Sequence, residues 1–240
     1  MQKSNARRFI EAYNQIDYAL RVQHNFKRSM GYSDMIRRAV AINAIVRKYE
    51  DDLIDYGRLR NAIIHRSSED YIIAEPHDDV VLALEKIAKL ICTPPKVLET
   101  LELHDVLTVQ YDVPLKKVIE LISTSKYSNI PVYKNGTLVG VANGQKILDL
   151  IGRAISENKD MTDYIENTSI EEAVNSFSVE VKYFEIEPAG VTIERILDLF
   201  NKNRKLLLVL ITKTGSLQEP PLGIVTSSNL MDLNSIIENY

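Results

Sequence analysis

Apolar residues recur at Phe9, Tyr13, Ile16 and Leu20, spacings of four, three and four that place them on one face of an α-helix. Gly31-Tyr32-Ser33 interrupts this pattern, and Ser33 is a residue type that caps helix starts. From Asp34, the positions Met35, Ala39, Ile42, Val46 and Tyr49 keep helical spacing and predict a second helix. Behind Glu50-Asp51-Asp52, the residues Leu53, Tyr56, Leu59 and Ile63 predict a third, with Gly57 as its weak point. Arg66 to Asp70 is a polar break. Pro76 and Asp78-Asp79 open a last helix carrying Val80, Val81, Leu84, Ile87, Leu90 and Ile91, and Pro94-Pro95 stops it. Residues 1–97 therefore read as an antiparallel helical bundle.

The pattern changes after the prolines. Val106 to Val109 predicts a strand, and Pro114 to Thr124 a helix with proline in its first turn. Asn129 to Tyr133 predicts a strand, Lys134-Asn135-Gly136 a hairpin turn, Leu138 to Val141 a strand, and Gln145 to Ile155 a helix. The order then returns: strand at Tyr183–Ile186, helix at Thr192–Phe200, strand at Leu206–Ile211, turn at Lys213-Thr214-Gly215, strand at Leu222–Val225, helix at Ser228–Ile237. A repeated β-α-β-β-α unit predicts two similar lobes with paired clefts between them. The fold class is α+β and multidomain, with repeat 1 over about 100–155, a helical connector over 156–180 and repeat 2 over about 181–240.

Composition changes this picture little. The apolar fraction of 45% and charged fraction of 26% are those of an ordinary globular protein. The single cysteine, Cys92, cannot form an internal disulfide and reads as a small buried apolar residue. Met1 to Arg8 has no apolar core of a signal peptide, and the longest dense apolar run, Leu206–Ile211, is six residues, so a cytoplasmic protein without membrane association is expected.

Charge adds more. Residues 1–49 hold ten Lys/Arg against three Asp/Glu, in a chain of net charge −4. This segment is either a face for a polyanion such as RNA or the solvated side of amphipathic helices.

The repeat resembles a tandem pair of CBS domains, a regulatory module, over about residues 100–240, within a domain expected over 98–240. The residues that carry the resemblance are Ser128-Asn129-Ile130-Pro131-Val132, Asn135 to Val141, and Leu222-Gly223-Ile224-Val225-Thr226-Ser227-Ser228-Asn229-Leu230. The resemblance implies a regulatory adenosine ligand (AMP, ADP, ATP or S-adenosylmethionine) and no required cofactor or metal. In the family, a Thr or Ser followed three residues later by Asp meets the nucleotide ribose at a helix start. Here Thr226 is present, but Asn229 stands where Asp is usual, and an amide offers weaker, uncharged acceptance. The first repeat departs further, with Asn143 and Lys146; either Lys146 meets a phosphate or that cleft stays empty. The implied site centres on Thr226 and Asn229, with Thr108, Ile130 and Leu207 as wall positions.

Arg60-Asn61-Ala62-Ile63-Ile64-His65 concentrates a cation, an amide and an imidazole, with the apolar residues expected to anchor the segment in a core. It is similar to the Arg-polar-x-x-x-His signature of HEPN domains, and the resemblance covers about residues 5–93. It implies metal-independent RNA cleavage at a homodimer interface: His65 as general acid/base, Arg60 on the scissile phosphate, Asn61 orienting either. Arg60 and His65 are roughly 140° apart around an ideal helix, so Arg60 must swing back, the helix must distort, or a second protomer must complete the site, and the last matches the dimeric cleft that the resemblance implies. The alternatives are that Arg60 pairs with Asp55, Asp52 or Glu50, and His65 caps its helix. The whole chain then reads as a nucleotide-sensing CBS pair controlling an RNA-binding or RNA-cleaving helical domain, or as a non-enzymatic sensor or dimerisation module that recruits a protein.

Overall fold

The structure, a computed structural model, describes residues 4–65, 74–102, 106–175 and 183–240. The side chain of His65, the expected polar break at 66–70 and His104 lie outside the described residues. The chain mixes helices and strands.

Helix α1 (Asn5–His24) starts where the Ser4 hydroxyl accepts from the Arg7 amide, and it ends at Asn25 in the left-handed region at φ 53°. Phe9, Ile16 and Leu20 are fully buried and Tyr13 nearly so, as their spacing requires. Helix α2 (Tyr32–Ala39) has Gly31 rather than Ser33 at its cap position. The second expected helix does not run through. It breaks at residues 40–43, and α3 (Ala44–Lys48) restarts under Asn43, whose buried carboxamide accepts from the Val46 amide at 2.9 Å. An asparagine that satisfies an open amide competes with the continuing helix, and here it wins. Ile42, expected inside, is consequently 43% exposed.

Helix α4 (Glu50–His65) buries Leu53, Gly57 and Ile63. Ala62 is exposed and Ile64 is at the exposed margin, so of these three apolar residues only Ile63 is buried. Helix α5 (Asp78–Cys92) packs on α1 through Val81, Leu84, Ile87, Leu90 and Ile91. Cys92, expected inside, is exposed, with its thiol 3.7 Å from the Gln15 carbonyl. A short helix α6 (Val97–Thr100) follows the prolines.

Strand β1 (Val109–Gln110), helix α7 (Leu115–Ser125), strands β2 (Asn129–Lys134) and β3 (Thr137–Asn143) and helix α8 (Gly144–Ser156) come next. The expected strand at 106–109 is shorter, because 106–108 are irregular. β2 lies centrally, parallel to β1 and antiparallel to β3. Asn135 (φ 50°) and Gly136 (φ 79°) make the hairpin turn with two positive-φ residues that the Asn-Gly pair favours. The β2–β3 register skips Val139, which turns out to 40% exposure. The expected connector helix is two short helices, α9 (Met161–Asn167) and α10 (Ile170–Asn175), because Asp160 caps a fresh start by accepting from the Thr162 and Asp163 amides.

The second sheet holds β4 (Phe184–Pro188), β5 (Leu208–Thr212) and β6 (Gly223–Thr226), with β5 central, parallel to β4 and antiparallel to β6. The two sheets thus share one strand order and one pattern of senses. Helix α11 (Ile193–Lys202) connects β4 to β5, and helix α12 (Leu230–Asn239) follows β6 through a 3-10 turn at Ser227–Asn229.

By compactness the chain forms two units. One comprises Met1–Thr100 together with Thr192–Leu199 and Asp232–Tyr240; the other comprises Leu101–Val191 and Phe200–Met231. Most of α11 and α12 therefore belongs with the N-terminal helices. Within that first unit Glu194 accepts from the Ala44 amide at 3.0 Å, and buried Asp198 pairs with Arg47 at 3.0 Å. Glu238 pairs with Lys48, and Lys89 lies 4.0 Å from the centre of the Tyr240 ring. In the second unit, Tyr133, Leu138 and Val141 of one sheet form a common core with Leu208 and Leu210 of the other.

Candidate functional site

Helix α7 ends on Lys126, whose amide donates to the Ile122 carbonyl and whose backbone is left-handed at φ 64°. That reversal sends Lys126, Tyr127 and Ser128 along one wall of a cavity of about 310 Å³ in the second unit. Val106, Leu107 and Ile224 supply apolar wall; Glu102, Asn129, Thr226, Ser228 and Asn229 supply polar groups. The volume is at the low end of small-ligand pockets.

Hydrogen bonds fix the polarity of this wall. The Thr226 amide donates to Asn229 Oδ1 at 2.9 Å, and the Thr226 and Ser228 hydroxyls are 2.7 Å apart. A backbone N–H can only donate, so Asn229 turns its carbonyl inward to its own turn. Asn129, also in the lining, is fixed the same way. The Lys146 amide donates to Asn143 Oδ1 at 3.1 Å, which caps α8, so Asn143 Nδ2 donates to Asn129 Oδ1 at 2.7 Å. The Gly144 amide donates to the Ser128 carbonyl at 2.9 Å, tying the same strand end to the start of α8.

Of the residues expected at a ligand site, Thr226 and Asn229 line the cavity. Thr108 is an exposed loop residue, Ile130 is fully buried in the sheet core and Leu207 packs against the core shared by the two sheets. Asn143 is committed to capping α8, and Lys146 lies 3.9 Å from Asp149. The cavity also recruits Lys126, Tyr127 and Asn129, which the sequence reading left out. The available signal was Lys-Tyr-Ser-Asn placed between a helix end and a strand start.

In the first unit, Arg60 lies with its guanidinium 5.5 Å from the centre of the Tyr13 ring and donates to Asn61 Oδ1 at 3.2 Å. Arg58, not Arg60, pairs with Asp55, at 2.7 Å. Tyr13 stacks on Tyr32 with centroids 4.3 Å apart. Burial pushes the Tyr13 phenol up to about 12 and raises that of Tyr32 as well, so both rings are neutral at physiological pH. Among the described residues, the Nε of Arg60 and the hydroxyl of Tyr32 are buried without a partner. Among the described residues no group of His, Cys, Asp and Glu could hold a metal ion, and no helix is long and apolar enough to cross a membrane.

Comparison with curated proteins finds no match. Among solved structures, the chain is similar to the CBS domain of the bacterial CNNM/CorC family Mg2+ transporter in complex with ATP, at 18% identity and a TM-score of 0.45 over 62% of this chain and 92% of that one. It is also similar to a CBS domain-containing protein of unknown function from Kribbella flavida DSM 17836 (13% identity, TM-score 0.43, 55% and 94% coverage). A third is a CBS-domain containing protein from Agrobacterium tumefaciens (14% identity, TM-score 0.42, 57% and 90% coverage). Residues 99–153 match the family model of the CBS domain, and the chain therefore carries a CBS domain.

Proposed function

We propose that the chain is a regulatory protein that binds an adenosine nucleotide in the cavity around Thr226 and Asn229 and passes occupancy to its helical unit. The observation that carries this reading is the cavity itself, which is lined both by apolar Leu107 and Ile224 and by a hydroxyl-amide turn at the start of α12. Such a wall accommodates a flat base, and a helix start with open amides favours an anion. Helix α12 begins beside that turn and contributes Asp232–Tyr240 to the helical unit, so one continuous element reaches from sensor to output. A ligand controls the output only through unequal affinity for two arrangements of the chain. The test is a melting series with AMP, ADP, ATP and S-adenosylmethionine on the wild type and Thr226→Val. Saturating nucleotide stabilises the wild type and not the variant; no shift with any compound removes the reading.

For the output, the reading is a homodimer whose Arg60, Asn61 and His65 bind and cleave RNA without metal. Single-stranded RNA incubated with chelator, beside His65→Ala and Arg60→Ala, decides it. Cleavage lost in both variants supports the enzyme. No cleavage by wild type supports the second reading, a non-enzymatic sensor recruiting a protein, which the engagement of Arg60 with Tyr13 and Asn61 favours.

A further inference from the structure

We infer that the cavity selects its ligand by phosphate, through amide and ammonium donors, rather than by the ribose diol. The inference rests on the nucleotide reading above and concerns which part of the nucleotide the walls hold. A diol brings two O–H donors, and a carboxylate is the group that accepts both. Neither cavity amide can do this well. Asn229 Oδ1 already accepts the Thr226 amide, and Asn129 Oδ1 already accepts Asn143 Nδ2. Both orientations are fixed by backbone donors, the amides of Thr226 and Lys146, so neither carboxamide can flip without leaving two N–H groups face to face. With its oxygen already engaged, what each amide chiefly has left to offer is its NH2, two donors that need an acceptor. Phosphate oxygens accept and do not donate.

Lys126 carries the same inference independently. A helix that ends in a left-handed residue ordinarily ends in glycine, since an L side chain there costs roughly 1–2 kcal/mol. This chain places a lysine at that position and in the cavity wall. Strain of this kind persists where the side chain is used. Glu102 is the one carboxylate among the described lining residues, and it is exposed.

The experiment measures affinity for adenosine, AMP, ADP, ATP and inorganic tripolyphosphate at two salt concentrations, in chelator, for wild type, Asn229→Asp and Lys126→Gly. Asn229→Asp keeps an acceptor for the Thr226 amide, so it folds, but replaces a donor with an anion. The expected result is affinity rising from adenosine to ATP and weakening with salt. Asn229→Asp should lower ATP affinity by about tenfold or more, because like charges meet, while leaving or improving adenosine binding. Lys126→Gly should bind ATP more weakly while melting higher without ligand. Equal affinity for adenosine and ATP, or an unchanged ATP affinity in Asn229→Asp, overturns the inference and leaves the nucleotide reading standing. Tripolyphosphate binding without any gain from the base supports the inference and overturns the nucleotide reading. No binding by any compound overturns both.

Discussion

Glu194 shows how a single side chain can hold local structure at an electrostatic cost. Its carboxylate accepts from the Ala44 amide, but burial, reinforced by the neighbouring Asp198 charge, raises its pKa above the ordinary carboxylate value. A raised carboxyl takes up a proton on folding, so the stability it contributes is present at acid pH and lost as pH rises through the raised pKa. Glu194→Gln keeps the acceptor and removes the charge. Urea unfolding at pH 4.5 and 7 should show the variant at least as stable as wild type at pH 7, with a smaller difference between the two pH values. Glu194→Ala, by contrast, should lose about 1 kcal/mol at both, the usual cost of an uncapped helix start. Gly57 is constrained differently. A Cβ there would lie 2.9 Å from Tyr32 Cδ1, in the ring stacked on Tyr13, so Gly57→Ala should destabilise despite alanine's higher helix propensity. Chemical denaturation reads the sign directly.

At the level of elements, much of the layout follows from spacing, and the failures have specific causes. The α1 face, the α5 face and the Asn135-Gly136 turn were legible because burial and positive φ each leave a strong mark on residue choice. The break between α2 and α3 was not legible, because apolar spacing continues through Ile42 and Val46 while the decisive event is one buried hydrogen bond, donated by the Val46 amide to Asn43 Oδ1. Asn43→Ala should therefore cost about 1 kcal/mol or more, measured by melting or denaturant titration, since it leaves the Val46 amide unsatisfied. Part of the cavity lining was visible in Thr226 and Asn229. Lys126 and Asn129 were hidden because they gain their places in it from a backbone reversal and from a partner fourteen residues away, Asn143. Local pattern contains neither.

At the scale of the whole molecule, the basic segment 1–49 proves largely neutralised. Arg7, Arg8, Arg21, Arg37, Arg47 and Lys48 each pair with a carboxylate. Lys27, Arg28 and Arg38 are exposed and make no ion pair among the described residues. If RNA binds this segment, the three free cations among the described residues predict a shallow slope of log affinity against log salt, about −2 for a single strand; a slope several times steeper would show that the paired cations open to engage phosphate. A last consequence follows from the membership of α11 and α12 in the helical unit. Their buried residues Ile193, Ile196, Leu233 and Ile237 belong to a core begun almost two hundred residues earlier. A single cut near Pro94-Pro95 would strip that core from both fragments, and the piece 98–240 should bind a hydrophobic dye when expressed alone. The two units are interleaved along the chain, so no single cut releases either of them whole.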